Sequence, residues 1–169
     1  ATFAPSAWTL TASGTATVTG AGNSPAVTNQ SVPAGSYSLS ESGPEGYTAS
    51  AWTCTGGALT GTSVVVPNGG NVTCTITNTA IAPRLTLVKT VVNTNGGTAL
   101  PTAWTLTGRG AVTISGATGS PAVTAATVRV GDYVLSESGG PAGYTASAWS
   151  CTGATAVGTT VTVPVGGNV

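Results

Sequence analysis

The sequence contains no histidine, no methionine and very little charge. Four Lys and Arg residues balance four Asp and Glu residues, and together they make up 5% of the chain, against about 25% in ordinary soluble proteins. Without histidine, the commonest metal ligand and the commonest general base are both missing. Zero net charge provides no basic surface for nucleic acid, and no apolar run reaches the roughly 18 residues of a membrane-spanning helix. We therefore expect no enzyme, cofactor, metal, nucleic-acid partner or membrane span.

The two halves of the sequence repeat one another at a spacing of 96 residues early in the repeat and 97 later. Matching segments are AWTLT at 7–11 and 103–107, LSESG at 39–43 and 135–139, GYTASAW at 46–52 and 143–149, and VPNGGNV at 66–72 with VPVGGNV at 163–169. This period is too long for one unit of a solenoid and is typical of a whole domain. The sequence therefore predicts two tandem domains, 1–82 and 83–169.

The first and last residues of the sequence do not coincide with the boundaries of the repeats. The segment 73–99 lies between them and has no second copy. We therefore expect domain 1–82 to lack its first strand and domain 83–169 to lack its last strand. Two explanations stay open at this point: the chain is a window on a longer array, or neighbouring copies supply the missing strands to each other.

Short stretches rich in Thr, Val, Tyr and Trp alternate with a period of two residues, which is typical of strands. Gly, Pro, Asn and Ser separate these stretches, as they do at turns. In the second repeat the predicted strands are 85–92, 102–108, 111–116, 122–129, 132–137, 144–151 and 159–163. So many short strands in about 97 residues predict an all-β fold, a β-sandwich of immunoglobulin-like size. The four tryptophans recur in register and are interpreted as core anchors.

The three cysteines also follow the repeat. Cys54 and Cys151 occupy the same place in GYTASAW-x-C, and the counterpart of Cys74 would fall just past Val169. We predict a Cys54–Cys74 disulfide, and for Cys151 a partner beyond the end of the chain. Buried free thiols are the alternative, while a zinc site would need more ligands than two thiolates provide. Paired cysteines indicate an oxidising, extracellular setting.

Lys89, the single lysine, follows Leu85 and Leu87 in a period-two pattern, so it is predicted to face the core. Three more polar side chains share this property: Glu41 follows Tyr37 and Leu39, Glu137 follows Tyr133 and Leu135, and Asn78 follows Cys74 and Ile76. A buried charge is costly unless it is paired or neutralised.

An amine in its neutral form is a nucleophile, and a protonated carboxyl can polarise an amide carbonyl. Lysine, glutamate and asparagine placed together could therefore form a Lys–Asn isopeptide bond with loss of ammonia. The simpler alternative is that Lys89 extends its ammonium to water from an edge strand and that the glutamates accept hydrogen bonds from turn amides.

Four motifs of the chain belong together: LVKTVVN (87–93), YSLSESGPEGY (37–47), YVLSESGGPAGY (133–144) and CTITNT (74–79). In this combination the chain resembles the collagen-adhesin B-type repeat, also called the SpaA-type or prealbumin-like fold, found in stalks of bacterial surface adhesins and in Gram-positive pili. The resemblance implies that the first and last strands of each domain run parallel. It also implies that Lys89 is the bonding lysine of the second repeat, Asn78 the bonding asparagine of the first, and Glu41 and Glu137 the promoting acids.

Asn78 and Lys89 are not expected to bond to each other, because the short link between them cannot return the chain to make a parallel neighbour. The cysteine pair departs from the usual isopeptide-bonded repeats and offers a different covalent brace.

The leading functional hypothesis is a structural, extracellular stalk, fibre or filament shaft whose partners are further repeats or neighbouring copies. The alternatives are an adhesin or carbohydrate-binding module, and a filament subunit that exchanges strands with its neighbours. Many threonines offer acceptors for glycans. A hydrolase is disfavoured by the missing histidine and the scarcity of acids.

Overall fold

The computed structural model describes residues 3–169, which form two compact units, residues 3–80 and 81–169. Nearly all regular structure is β-strand, so the predicted all-β sandwich fold is confirmed. No helix among the described residues has the length and apolar character required to cross a bilayer. The helical elements among the described residues are three 3₁₀ turns: Pro5–Ala7, Pro25–Val27 and Pro101–Ala103. Each begins at proline, whose fixed φ and missing N–H suit a first helical position.

The unit of residues 3–80 is built on a five-stranded antiparallel sheet. The strands of the whole unit are β1 (Thr9–Ser13), β2 (Thr17–Ala21), β3 (Gly35–Ser42), β4 (Tyr47–Ala49), β5 (Thr53–Thr55), β6 (Ala58–Thr60), β7 (Ser63–Val66), β8 (Thr73–Thr75) and β9 (Asn78–Ala80). The main sheet has the order β2-β1-β3-β7-β6, and the pairs β4–β9 and β5–β8 form two further antiparallel ladders. Among residues 3–80, β1 is the first strand that the structure describes.

The unit of residues 81–169 repeats this plan. Its strands are β10 (Arg84–Leu85), β11 (Trp104–Arg109), β12 (Thr113–Gly116), β13 (Ala126–Thr127), β14 (Gly131–Gly139), β15 (Ala156–Val157) and β16 (Thr160–Val163). The main sheet has the order β12-β11-β14-β16-β15, and β10 pairs with β13. The first segment of this unit, residues 84–89, also pairs in parallel with its last segment, residues 167–169, through a bridge between Arg84 and Asn168.

Side chains alternate across these strands as the period-two pattern predicts. In β14, Tyr133 and Leu135 are buried between exposed neighbours, and Tyr37 and Leu39 repeat this in β3. The 81–169 unit has the larger core, formed by Leu85, Leu87, Leu106, Ile114, Val123, Val128, Tyr133, Leu135, Val161 and Val163. The fully buried cluster of the 3–80 unit holds only Tyr37, Leu39 and Val64 among the described residues. The unit that has the leucine-bearing first segment therefore buries more apolar surface.

Three predicted strands are not formed as expected. Within 122–129, strand structure covers only Ala126–Thr127, and the residues before it form turns. Within 85–92, ladder pairing covers only Leu85, although burial still alternates up to Lys89. The segment 144–151 has no strand at all. Its equivalents in the first unit, β4 and β5, pair with β9 and β8, and the residues that the structure describes end before the positions equivalent to β8 and β9. A strand requires a neighbour as well as a suitable pattern, so these residues stay unpaired.

The first tryptophan of each repeat is a core residue, as interpreted from the sequence. Trp8 and Trp104 are 8% and 5% exposed. Each indole lies directly over a glycine, Gly43 or Gly140, where an added Cβ would clash with the ring. Glycine at these positions therefore allows the ring to lie against the backbone.

Ala125 has a φ of 48°, which is a left-handed conformation that alanine rarely adopts. The equivalent residue of the first repeat is Asn29, with a φ of 52°, and asparagine tolerates this region better. Contacts on both sides hold Ala125 in place: its N–H donates to Thr86 Oγ1 over 3.0 Å, and its carbonyl accepts from Arg84 Nη1 over 2.9 Å. These contacts fix the loop against the first segment of the unit.

Replacing Ala125 by glycine removes the strain of this conformation, whereas glycine elsewhere mainly adds entropy to the unfolded chain. We expect the free energy of unfolding of the 81–169 unit to be about 1–2 kcal/mol higher in Ala125→Gly than in the control variant Ala103→Gly. Hydrogen exchange of the slowest amides in β14 measures this energy for the unit alone. Equal free energies of unfolding in the two variants would contradict the strain assigned to Ala125.

Candidate functional site

Lys89 reaches an acid at the far end of the central strand of its unit. Its Nζ lies 2.6 Å from Glu137 Oε2, and the two side chains are 16% and 22% exposed. Lys89 follows the buried Leu85 and Leu87 on the same face of the extended segment. The ammonium is therefore neither buried without a partner nor directed freely into water. A half-buried ion pair of this kind satisfies both charges locally.

An aromatic ring completes the surroundings of this ammonium. Lys89 Nζ lies 4.8 Å from the centroid of the Trp104 ring, which is within the range of a cation–π interaction. Trp104 in turn meets Tyr144 edge-to-face, with centroids 5.3 Å apart. The recurrence of tryptophan in the sequence indicated only a core anchor at Trp104, and the contact with Lys89 was not predicted. The strand pairing could have indicated this contact, because Trp104 begins β11 and lies opposite Gly139, two residues after Glu137 in β14.

In the 3–80 unit, the equivalent acid binds an amide. Asn78 Nδ2 donates to Glu41 Oε2 over 2.9 Å. Glu41 lies opposite Leu10 across β1 and β3, as Glu137 lies opposite Leu106 across β11 and β14. The same position in the sheet therefore carries an acid in both units, and the acid has a different partner in each.

The four residues thus form two separate pairs: Lys89 with Glu137 in the second unit, and Asn78 with Glu41 in the first. Among the described residues, Glu41 accepts its side-chain hydrogen bond from Asn78, and Glu137 accepts its own from Lys89. Neither pair contains all three groups that an isopeptide bond requires, namely an amine, an amide and an acid. Each pair is one half of that constellation.

Cys54 and Cys74 form a disulfide, as predicted. Their sulfurs are 2.04 Å apart, and the two residues lie directly opposite each other where β5 pairs with β8. The bond joins residues 20 positions apart in sequence. It therefore ties the end of the unit to the strand that follows GYTASAW.

Cys151 is a free, half-buried thiol in the second unit. It lines a groove of about 420 Å³ together with Leu87, Leu135, Trp149 and Val169. Burial raises the pKa of the Cys151 thiol, because a low-polarity environment disfavours the thiolate. The predicted partner of Cys151 beyond Val169 lies outside the described residues. Within residues 3–169, no group of three or more His, Cys, Asp or Glu residues is arranged to hold a metal ion.

The raised pKa has a direct consequence for reactivity, since the thiolate is the nucleophile. We expect alkylation of Cys151 by iodoacetamide to reach its half-maximal rate at a more alkaline pH in the folded chain than in urea. At neutral pH the folded protein should therefore react more slowly. Mass spectrometry of the peptide that contains Cys151 measures the rate. The urea-unfolded chain, with its disulfide intact, is the control, and coincident pH profiles would contradict the assigned burial effect.

Comparison with known proteins agrees with the geometry of the two units. The model of the SpaA-type prealbumin-like fold domain matches residues 1–76 and again residues 81–169. A comparison with curated proteins finds no match, and a comparison with solved structures finds none either. The two matches together cover almost the whole sequence and correspond to the two repeats. The chain therefore belongs to the family of SpaA-type prealbumin-like fold domains.

Proposed function

We propose that the chain is a structural module of an extracellular stalk, fibre or filament shaft, and that it bears tension along its length. The observation that carries this proposal is the parallel pairing of the first and last segments of the 81–169 unit. Arg84 N–H donates to Gly167 O over 2.8 Å, Val169 N–H to Arg84 O over 3.0 Å, and Thr86 N–H to Val169 O over 2.8 Å. A force that pulls the two ends of the unit apart loads these hydrogen bonds together in shear.

Other features support the same role. The Cys54–Cys74 disulfide limits how far the first unit can extend, and it suits an oxidising environment outside the cell. Scarce lysine and arginine leave few sites for trypsin-like proteases. Membership of the SpaA-type family also favours a surface or pilus protein.

A carbohydrate-binding role has less support. Trp8 and Trp104 are 8% and 5% exposed, so neither offers an open ring face on which a sugar could stack. The turns repeat almost as faithfully as the strands, as in LSESG and GYTASAW, which favours a spacer over a variable binding surface. Further repeats or neighbouring copies of the same protein are the partners that this role implies.

We also propose that each complete repeat forms a Lys–Asn isopeptide bond. The lysine Nζ attacks the asparagine side-chain carbonyl carbon and forms a new C–N bond. The glutamate accepts a proton from the attacking amine and returns one to the departing nitrogen, so that the C–Nδ2 bond breaks and ammonia leaves. The pairs Lys89–Glu137 and Asn78–Glu41 support this chemistry, because the acid contacts the amine in one unit and the amide in the other.

Single-molecule pulling tests the mechanical role. Thr86→Pro removes the N–H that bonds to Val169 O, so we expect the 81–169 unit to unfold at a clearly lower force. The matched control is Val88→Pro, at a 62% exposed residue two positions further along the same face. Equal unfolding forces in the two variants would contradict the shear role of the pairing.

The same pulling experiment tests whether the disulfide limits the extension of the first unit. Reducing Cys54–Cys74 releases a loop of 20 residues, so the first unit should lengthen on unfolding by about 70 Å.

The isopeptide proposal is tested by completing the second repeat. A copy of residues 73–80 is added after Val169, so that an asparagine can reach Lys89. After reduction of disulfides, we expect the mass of this extended chain to fall short by one ammonia. Trypsin should no longer cut after Lys89, and a branched peptide should join Lys89 to the added asparagine.

Glu137→Ala in the extended chain should prevent the loss of ammonia, because the acid no longer moves the proton. Glu45→Ala, at an exposed glutamate of the other unit, is the matched control and should leave the loss unchanged. A folded extended chain that keeps its full mass would refute the proposed bond.

A further inference from the structure

The asparagines of this chain differ in the residue that follows them. Four of the eight precede a β-branched residue, namely Asn71, Asn78, Asn93 and Asn168, whereas Asn68 and Asn95 precede glycine. The following residue matters because its backbone nitrogen lies close enough to the side-chain carbonyl of the asparagine to attack it and form a cyclic imide. A β-branched side chain crowds this nitrogen, and glycine leaves it open.

Residues 93–99 form a loop that contains one asparagine of each kind. At its base, Asn93 Oδ1 accepts a hydrogen bond from the Tyr144 hydroxyl over 2.7 Å, and Asn93 Nδ2 donates to Ala99 O over 3.2 Å. The Tyr144 oxygen also accepts from Ala99 N–H over 3.1 Å. These three hydrogen bonds fasten the two ends of the loop to Tyr144 and to each other, and they engage both polar atoms of the Asn93 amide.

Asn95 lies at the exposed tip of this loop. Gly96 has a φ of 83°, and apart from its chain neighbours no heavy atom lies within 4 Å of the position that a Cβ on Gly96 would take. Among residues 3–169, the Asn95 amide has no hydrogen-bond partner, and no backbone hydrogen bond crosses residues 94–98. The base of the loop is therefore fixed, while its tip is free to rotate.

Ring closure at this tip requires only the chain itself and water. Hydroxide takes the proton from Gly96 N, and this nitrogen forms a bond to the Asn95 side-chain carbonyl carbon. The bond from that carbon to Nδ2 breaks, the departing nitrogen takes a proton from water, and ammonia leaves. Water then opens the cyclic imide at one of its two carbonyl carbons. Opening at the side-chain carbonyl gives aspartate, and opening at the backbone carbonyl gives isoaspartate.

We propose that Asn95 is a self-modification site, which converts through a cyclic imide with Gly96 to aspartate and isoaspartate, while Asn93 in the same loop keeps its amide. The conversion adds one negative charge to a chain whose net charge is zero. The hydrogen bonds at the base of the loop do not involve Asn95, so the fold of the unit is retained. This inference goes beyond the proposed structural role and does not depend on it. The modified fraction records the age of a molecule.

Asn68 offers a comparison, because the same two residue types occur there in a closed turn. Gly70 N–H donates to Pro67 O over 2.9 Å across this turn. The hydrogen bond limits rotation of the backbone at Asn68, and ring closure requires such rotation. We therefore expect Asn95 to convert faster than Asn68 in the folded chain, and the two asparagines to convert at similar rates in urea.

Mass spectrometry tests the proposal on the full 169-residue chain. The folded chain is incubated at a mildly alkaline pH in water enriched in heavy oxygen, so that each conversion replaces the amide nitrogen by labelled oxygen. Trypsin then releases residues 90–109, in which Asn93 and Asn95 are the only asparagines. Electron-transfer fragmentation of this peptide locates the label and distinguishes aspartate from isoaspartate.

We expect Asn95 to convert at least about tenfold faster than Asn93, because glycine leaves the attacking nitrogen open and threonine crowds it. Both aspartate and isoaspartate should appear at position 95. Hydrogen exchange of the β14 amides should be the same before and after conversion. Retention of the Asn95 amide while the urea-unfolded chain converts, equal rates at Asn93 and Asn95, or a folded-state rate at Asn95 no higher than at Asn68 would each overturn the proposal.

Two variants separate the effect of structure from that of local sequence. Thr94→Gly places a glycine after Asn93 as well, but the amide of Asn93 stays tied to Tyr144 and Ala99. We expect Asn93 to convert more slowly than Asn95 in this folded variant and at a similar rate in urea. Asn95→Gln is the matched control and should remove the label from residues 90–109, since its longer side chain forms the ring far more slowly. Equal folded-state rates at positions 93 and 95 of Thr94→Gly would count against the assigned freedom of the tip.

The same peptide distinguishes this modification from an isopeptide bond, although both reactions release ammonia. A cyclic imide at Asn95 lies within residues 90–109, forms no branch and gains oxygen on hydrolysis. An isopeptide bond at Lys89 joins two peptides and prevents cleavage after Lys89. Failure of either reaction therefore leaves the other one measurable.

Discussion

The contact between Lys89 and Glu137 allows a charged residue to occupy a strand face that otherwise carries leucine. An isolated ammonium taken out of water would cost several kcal/mol, and its partner acid and the ring of Trp104 offset that cost. The acid is fixed by its place near the end of β14, opposite Leu106. The first segment of the unit is therefore held at three levels: by backbone hydrogen bonds at Arg84, by buried leucines, and by this charge pair.

The same acid position in the first unit contacts an amide in place of an amine. Glu41 accepts a hydrogen bond from Asn78, and both residues line a groove of about 720 Å³. Both arrangements hold two segments of a unit together, as the proposed structural role requires.

Much of this could be predicted from the sequence because it depends on alternation. The inward positions of Lys89, Glu41 and Asn78 follow from period two, and the Cys54–Cys74 pairing follows from one pair of cysteines for each repeat. Backbone pairing was harder to predict, since a ladder depends on two segments at once. The pattern of 144–151 is that of a strand, yet this segment has no ladder partner among the described residues. The contact of Trp104 with the ammonium and the left-handed Ala125 depend on three-dimensional neighbours that no local pattern reveals.

The disulfide between β5 and β8 encloses most of the second half of the first unit, including β6 and β7. A peptidase that cuts the chain anywhere between Thr55 and Thr73 leaves the two fragments joined through Cys54 and Cys74. The enclosed stretch also contains no lysine or arginine. On a cell surface exposed to foreign enzymes, a single nick in this stretch would leave the covalent continuity of the molecule intact.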